Sequence, residues 1–215
     1  MNPLLTDISL ALQKGKGKNV KELIEKALGE GVGAQDILRD GLMAGMDIIA
    51  IKFKNNEVYV PEVLLAARAM SAGTVMLKEH LSDSEAKPLG KAVLGTVKGD
   101  MHDIGKNLVR MMFEGKGIEV VDIGIDVPAE KFIEVCKTEK PDIVAMSALL
   151  TTTMSEMKNV IDALKEAGVR KDVVVMVGGA PVTDSFCKSI GADIYAPDAA
   201  SAAESAKQAM LGKTA

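Results

Sequence analysis

The apolar positions of this chain change period near residue 85. Before it they recur at helical spacing. Leu38, Leu42, Met46 and Ile49 form one stripe, and Val63, Ala67, Met70, Thr74, Leu77 and Leu81 form another. Pro3–Gln13 and Val20–Leu28 are shorter amphipathic segments on either side of Lys14-Gly15-Lys16-Gly17-Lys18. A third helix is expected over Ala34–Ile51. A fourth starts near Pro61, a residue suited to the first helical position. Four helices with short links predict a small antiparallel bundle over residues 1–85. Between the third and fourth lies Lys52–Val60, which suits either a partner-facing loop or an ordinary loop with a hydrophobic staple.

Ser82–Gly90 is polar, holds a proline and reads as a linker. Beyond it, short apolar runs alternate with helical segments. Strands are expected at Ala92–Val97, Glu119–Ile123, Ile143–Ser147, Val173–Val177 and Asp193–Tyr195. Helices are expected near Ile104–Phe113, Ala129–Thr138, Met154–Ala167 and Val182–Ser189, with a last one over Ala199–Met210. This alternation predicts an α/β domain over residues 90–215, a parallel sheet covered on both faces.

Composition narrows the picture. The 215 residues are 47% hydrophobic but only 3% aromatic, without Trp, so Leu, Ile, Val, Ala and Met must form the core. The 13 Met suit gap filling. Net charge is -4 and no Lys/Arg stripe interleaves with aromatics, which argues against nucleic acid. Met1–Leu12 lacks the basic start and apolar core of a signal peptide, and no stretch is expected to approach the ~20 apolar residues of a membrane span. Cys136 and Cys187 have no motif spacing and suggest buried, reduced thiols. A cytoplasmic protein is expected.

The candidate chemistry lies in Asp100-Met101-His102-Asp103-Ile104-Gly105, between the first strand of the sheet and the next helix. In a sheet ordered 2-1-3-4-5, the ligand crevice opens between strands 1 and 3. Ser147, Leu149, Thr151 and Thr153 follow the third strand, and Gly178-Gly179 follows the fourth. Tyr195-Ala196-Pro197-Asp198-Ala199 follows the fifth. Imidazole is a good ligand for a borderline transition metal. A protein-built metal site usually needs three or four ligands, and the only other His is His80. If His102 binds a metal, the remaining ligands come largely from the cofactor, which points to a macrocycle. Either Asp100 or Asp103 could fix the ring tautomer. Hydroxyls of Ser147, Thr151 and Thr153 could bond to that carboxylate, and the glycine pair would let backbone approach a flat group. Taken singly, each has a plain alternative, such as helix capping by Asp100 or Asp103.

Jointly the pattern is specific. Asp100-x-His102-x-x-Gly105, then Ser147-x-Leu149 after 41 residues, then Gly178-Gly179 after 28 more, resembles the vitamin B12-binding signature of cobalamin-dependent methyltransferases and mutases. The B12 module of methionine synthase carries the same pattern. The helical half resembles the N-terminal bundle of corrinoid methyl carriers, which mutases usually lack.

The resemblance implies a flavodoxin- or Rossmann-like sheet holding cobalamin or a related corrinoid, loaded as methylcobalamin. His102 would ligate cobalt in place of the cofactor's own base, with Asp100 as its partner and Thr153 completing the relay. Gly99, Met101, Asp103, Ile104 and Gly105 belong to the same turn. Ser147, Leu149, Thr151, Gly178 and Gly179 would line a slot for the nucleotide tail, closed by Tyr195, Pro197, Asp198 and Ala199. The bundle would cover the upper corrin face, with Tyr59, Leu64 and Leu65 as candidates, and the linker would let it move.

The implied function is methyl transfer on cobalt. A substrate-specific methyltransferase would load the carrier from a methylamine, betaine, methanol or methoxyaromatic donor. A corrinoid:folate or corrinoid:thiol methyltransferase would unload it, and a reductive activase would maintain it. The chain would not be catalytic alone. A B12-dependent sensor and the small subunit of an adenosylcobalamin mutase are the alternatives.

Overall fold

A computed structural model describes residues 2–81 and 87–213 in two compact units, one helical and one built on a sheet.

The helical unit starts with α1, Pro3–Gln13, where the Asn2 side chain accepts from the Leu4 N–H at 3.0 Å and Pro3 opens the helix. It continues with α2, Gly17–Gly29, and α3, a single turn at Ala34–Asp36. A π-helical stretch, Ile37–Met43, leads into α4, Ala44–Lys54, and α5 covers Val60–Leu77. The helix expected over Ala34–Ile51 is therefore interrupted, and it runs on to Lys54. The cause is close packing on α1. A Cβ on Gly41 would sit 3.1 Å from Ile8 Cγ2, and one on Gly45 would sit 3.1 Å from Leu12 Cδ2. The wider turn shifts the buried face, so Ile37 is fully buried and Leu38 only half-buried.

By length and composition, Val60–His80 would also suit a membrane span, with mean hydropathy 1.3, which the sequence reading did not register. In the bundle α5 packs on α2 and buries Val63, Ala66, Ala69, Met70, Gly73 and Leu77. Of the linker read at Ser82–Gly90, residues 82–86 lie outside the described residues, and Gly90 already belongs to the sheet.

In the second unit β1 is Gly90–Val97, β2 Ile118–Val127, β3 Ile143–Ser147, β4 Val174–Gly178 and β5 Ile194–Ala196. All pair in parallel in the order β2-β1-β3-β4-β5. The helices between and after them are α6, Ile104–Gly115; α7, Ala129–Glu139; α8, Met154–Glu166; α9, Asp184–Ile190; and α10, Ala199–Lys213. Val93, Val144, Val175 and Val177 meet Phe132, Ile161 and Leu164 in the core, as a sheet covered by helices requires. The doubly wound α/β fold and its strand order follow expectation.

Several boundaries shift by one to four residues, and two of the shifts have a local cause. β2 runs past Ile123 to Val127 because it bulges opposite Gly95, with Gly124 at φ 92° and Asp126 at φ 53°. A Cβ on Gly95 would lie 2.8 Å from Ile123 Cγ1, so glycine lets the bulge close. Helix α9 starts at Asp184 because Thr183 Oγ1 caps it, accepting from the Phe186 N–H at 3.1 Å. Both cysteines are buried free thiols. Burial raises both pKa values, that of Cys136 to about 11.

Candidate functional site

The turn after β1 is tied down residue by residue. The Asp100 N–H donates to the Val97 carbonyl at 3.1 Å. Gly99 supplies φ 80°, which an L side chain rarely adopts. The Asp100 carboxylate is fully buried, and five donors converge on it. Oδ1 accepts from the His102 N–H at 3.1 Å and lies 2.7 Å from His102 Nδ1. Oδ2 accepts from the N–H groups of Leu149 at 2.7 Å and Leu150 at 3.2 Å, and from Thr153 Oγ1 at 2.8 Å. Asp100 therefore bridges the turn after β1 and the loop after β3, the two sides of the expected crevice.

Burial alone would push the Asp100 carboxyl up. The donors from Leu149, His102 and Thr153 outweigh it and hold the group well below the usual carboxylate range. An ionised acceptor facing Nδ1 keeps the ring proton there and leaves Nε2 as the nitrogen open to a ligand.

The imidazole itself is about half exposed, its side chain at 49%. In the two turns that Asp100 joins, Met101, Ile104, Leu149 and Leu150 are all exposed, Met101 and Ile104 at 65% and 69%. Single exposed apolar residues are ordinary, but four in two joined turns form a patch that suits a ligand. Gly105 is exposed, and no atom lies within 4 Å of where its Cβ would be. Among the described residues, no three of His, Cys, Asp and Glu converge to hold a metal. The site thus offers one oriented nitrogen in an apolar, open setting, which fits a large flat group that brings most of its own metal ligands.

Other expected residues are placed differently. Asp103 does not orient the ring. Its carboxylate accepts from Asn107 Nδ2 at 3.1 Å and its carbonyl from the Asn107 N–H at 2.8 Å, so it caps α6. Of the three hydroxyls only Thr153 reaches Asp100 among the described bonds. Ser147 is half-buried at the end of β3, and Thr151 is exposed.

The glycine pair has a packing role. A Cβ on Gly178 would lie 2.8 Å from the Ala196 carbonyl oxygen, and one on Gly179, at φ 124°, would lie 1.9 Å from that of Ala148. Tyr195 is half-buried, Pro197 exposed and Ala199 buried. Asp198 caps α10, accepting from the Ser201 N–H at 2.7 Å and Ser201 Oγ at 2.8 Å. In the helical unit Tyr59 and Leu65 are exposed and Leu64 is half-buried.

Sequence reasoning missed Thr96, Asp126 and Lys106. Thr96 Oγ1 donates to the His102 carbonyl at 2.9 Å, and Asp126 Oδ1 accepts from the Gly99 N–H at 2.6 Å. Lys106 is 3% exposed, and its Nζ bonds Asp122 Oδ1 at 2.7 Å and Asn107 Oδ1 at 3.0 Å. A lone hydroxyl in an apolar strand was the signal available for Thr96.

Comparison with known proteins gives the family. A B12 binding domain model matches residues 90–206, and a second B12 binding domain model matches residues 4–78. The chain is 43% identical over 208 residues to dimethylamine corrinoid protein 3 of Methanosarcina acetivorans, covering 97% of each. It is 43% identical over 192 residues to trimethylamine corrinoid protein 1 of Methanosarcina mazei, covering 88% of this chain and 89% of the relative. The crystal structure of the methanol:cobalamin methyltransferase complex MtaBC from Methanosarcina barkeri contains a similar chain. That chain superposes with a TM-score of 0.88 at 33% identity, over 98% of this chain and 81% of that one.

Proposed function

We propose, from the premise that this chain belongs to the B12-binding corrinoid proteins, that it carries a methyl group on cobalt between two methyltransferases. Bound cobalamin supplies a cobalt that can take a methyl group from one partner and give it to another; the protein supplies binding, orientation and exposure. The observation that carries the reading is the half-exposed imidazole held by a fully buried, five-donor carboxylate beside an exposed apolar patch.

His102 would hold the cobalt through Nε2. That role requires the ring proton on Nδ1, where Asp100 holds it at 2.7 Å. The Thr153 hydroxyl has one proton and two acceptors in reach, Asp100 Oδ2 at 2.8 Å and the Leu150 carbonyl at 2.9 Å. It can therefore switch partners as negative charge on Asp100 is drawn toward or away from the ring. Met101, Ile104 and Gly105, exposed beside His102, would line the place of the macrocycle. Ser147, Leu149, Thr151, Gly178, Gly179 and the Tyr195–Ala199 turn are assigned to the nucleotide tail.

The methyl donor is assigned as a methylamine, because relatives at 43% identity over most of their length are dimethylamine and trimethylamine corrinoid proteins. The loading partner is then a methylamine-specific methyltransferase. A corrinoid:thiol or corrinoid:folate methyltransferase accepts the group, and a reductive activase serves the carrier. Two buried free thiols support a reducing cytoplasm.

The test is reconstitution with hydroxocobalamin, desalting and an absorption spectrum, beside His102→Ala. Stoichiometric cobalamin with a His102-dependent spectrum is expected, followed by demethylation of dimethylamine or trimethylamine only when the matching methyltransferase is added. A folded protein that retains no corrinoid refutes the reading.

A further inference from the structure

We propose, resting on the reading of His102 as the cobalt ligand, that Thr96 and Asp126 are positioning residues. They set the backbone beneath the imidazole before a corrinoid arrives.

Thr96 is fully buried near the end of β1, where the rest of Ala92–Val97 is apolar or glycine. A hydroxyl in such a place is unfavourable unless it is bonded. Its bond goes to the His102 carbonyl at 2.9 Å, outside the strand ladder. Asp126 stands near the end of β2, within its irregular stretch, at φ 53°, a conformation in which Asp and Asn are enriched. Its Oδ1 takes the Gly99 N–H at 2.6 Å, and its own N–H donates to the Asp100 carbonyl at 3.0 Å.

The ties are complementary. Asp126 anchors Gly99 and Asp100 to β2, while Thr96 anchors the His102 carbonyl to β1. Asp100 then holds both the His102 N–H and the ring Nδ1. His102 is thus fixed at its N–H, its carbonyl and its ring in an otherwise exposed turn. Exposed turns are ordinarily the mobile parts of a fold. Meeting the ordering cost during folding leaves less to meet on binding, so the clamp raises corrinoid affinity without touching the ligand.

The experiment uses the full chain as wild type, Thr96→Val, Thr96→Ser and Asp126→Gly. Valine keeps the shape and the strand preference but removes the donor. Glycine removes the Asp126 carboxylate at a positive φ without strain. Each apoprotein is first checked for fold by circular dichroism and then for amide hydrogen exchange. Each is next titrated with cobalamin, and the cob(II)alamin form is examined by electron paramagnetic resonance for coupling to a His nitrogen.

In Thr96→Val and Asp126→Gly, exchange should rise at Gly99–His102 and stay unchanged in β3 and β4. Cobalamin affinity should fall about threefold to tenfold, the equivalent of one net hydrogen bond, with a smaller His-coupled fraction. Thr96→Ser should behave as wild type. Wild-type exchange and affinity in both Thr96→Val and Asp126→Gly overturn the clamp while leaving the ligand assignment standing. A wild type with no His coupling overturns the ligand assignment itself, and the clamp's purpose with it.

Discussion

Asp100→Asn is the most informative single perturbation, because the two ends of an amide cannot both accept. The carboxylate now takes two contacts at Oδ1, both from His102, and three at Oδ2, from Leu149, Leu150 and Thr153. If the amide oxygen keeps the Oδ2 place, the NH2 faces the His102 N–H, and Nδ1 must become an acceptor. If it takes the Oδ1 place, the NH2 faces two backbone N–H groups that cannot turn away. The first arrangement is cheaper. It opposes the His102 N–H with another donor and exchanges the ring's bond to a carboxylate for a neutral one, about 2–4 kcal/mol in all. It also moves the ring proton to Nε2, the nitrogen proposed to hold the metal. Denaturant unfolding of the apoprotein should therefore show a loss of about 2–4 kcal/mol. Nitrogen-15 spectra should show the His102 proton moving from Nδ1 to Nε2, and cobalamin retention should drop to the level of His102→Ala. An Asn variant with the Nδ1–H tautomer, stability within about 0.5 kcal/mol of wild type and a normal cobalamin spectrum would refute the reasoning.

Three further outcomes are expected. The Asp100 carboxyl is depressed in the folded protein against about 3.9 when unfolded. Its contribution is therefore complete above the unfolded value and lost as pH falls toward the folded one; the stability gap between wild type and Asp100→Asn should stay level from about pH 8 to 5 and narrow below about pH 4. Gly105→Ala adds a Cβ that meets nothing within 4 Å and replaces a helical glycine, so thermal stability should be unchanged or up by about 0.5–1 kcal/mol; cobalamin affinity, measured by titration, should fall because the new methyl enters the open face. Gly179→Ala would place a Cβ 1.9 Å from the Ala148 carbonyl oxygen at φ 124°, and should cost about 3 kcal/mol or more of stability by denaturant unfolding, with or without cofactor.

The legible parts of this fold are those whose own burial decides the pattern. Ile143–Ser147 was bounded correctly because a central parallel strand is a continuous apolar run. The π-helical stretch at Ile37–Met43 was hidden because its cause lies on another helix, where Gly41 and Gly45 meet Ile8 and Leu12. The second half of β2 was hidden for the same kind of reason, since its bulge answers to Gly95 across the ladder. At the site, His102 stood out as one of only two His in the chain. The choice between Asp100 and Asp103 did not, because it depends on Leu149, Leu150 and Thr153 some fifty residues away. The glycine pair was legible as a place of close approach, but the approaching atoms are the backbone of Ala148 and Ala196.

The division of bonds on Asp100 bears on how a carrier can cycle. Oδ2 is held by three donors that do not involve His102, so the carboxylate stays in place whatever the ring does. Oδ1 serves His102 alone. Release of the imidazole from a metal therefore asks for a change in the position of one side chain, or of one proton between Nδ1 and Oδ1, while the crevice between β1 and β3 remains closed by the Oδ2 bonds. A site in which the same oxygen held both the ring and the loop would have to open the crevice each time the ligand left. Separating the two would let the imidazole bind and release a metal on the timescale of a side-chain motion, which suits a carrier that is loaded and unloaded repeatedly.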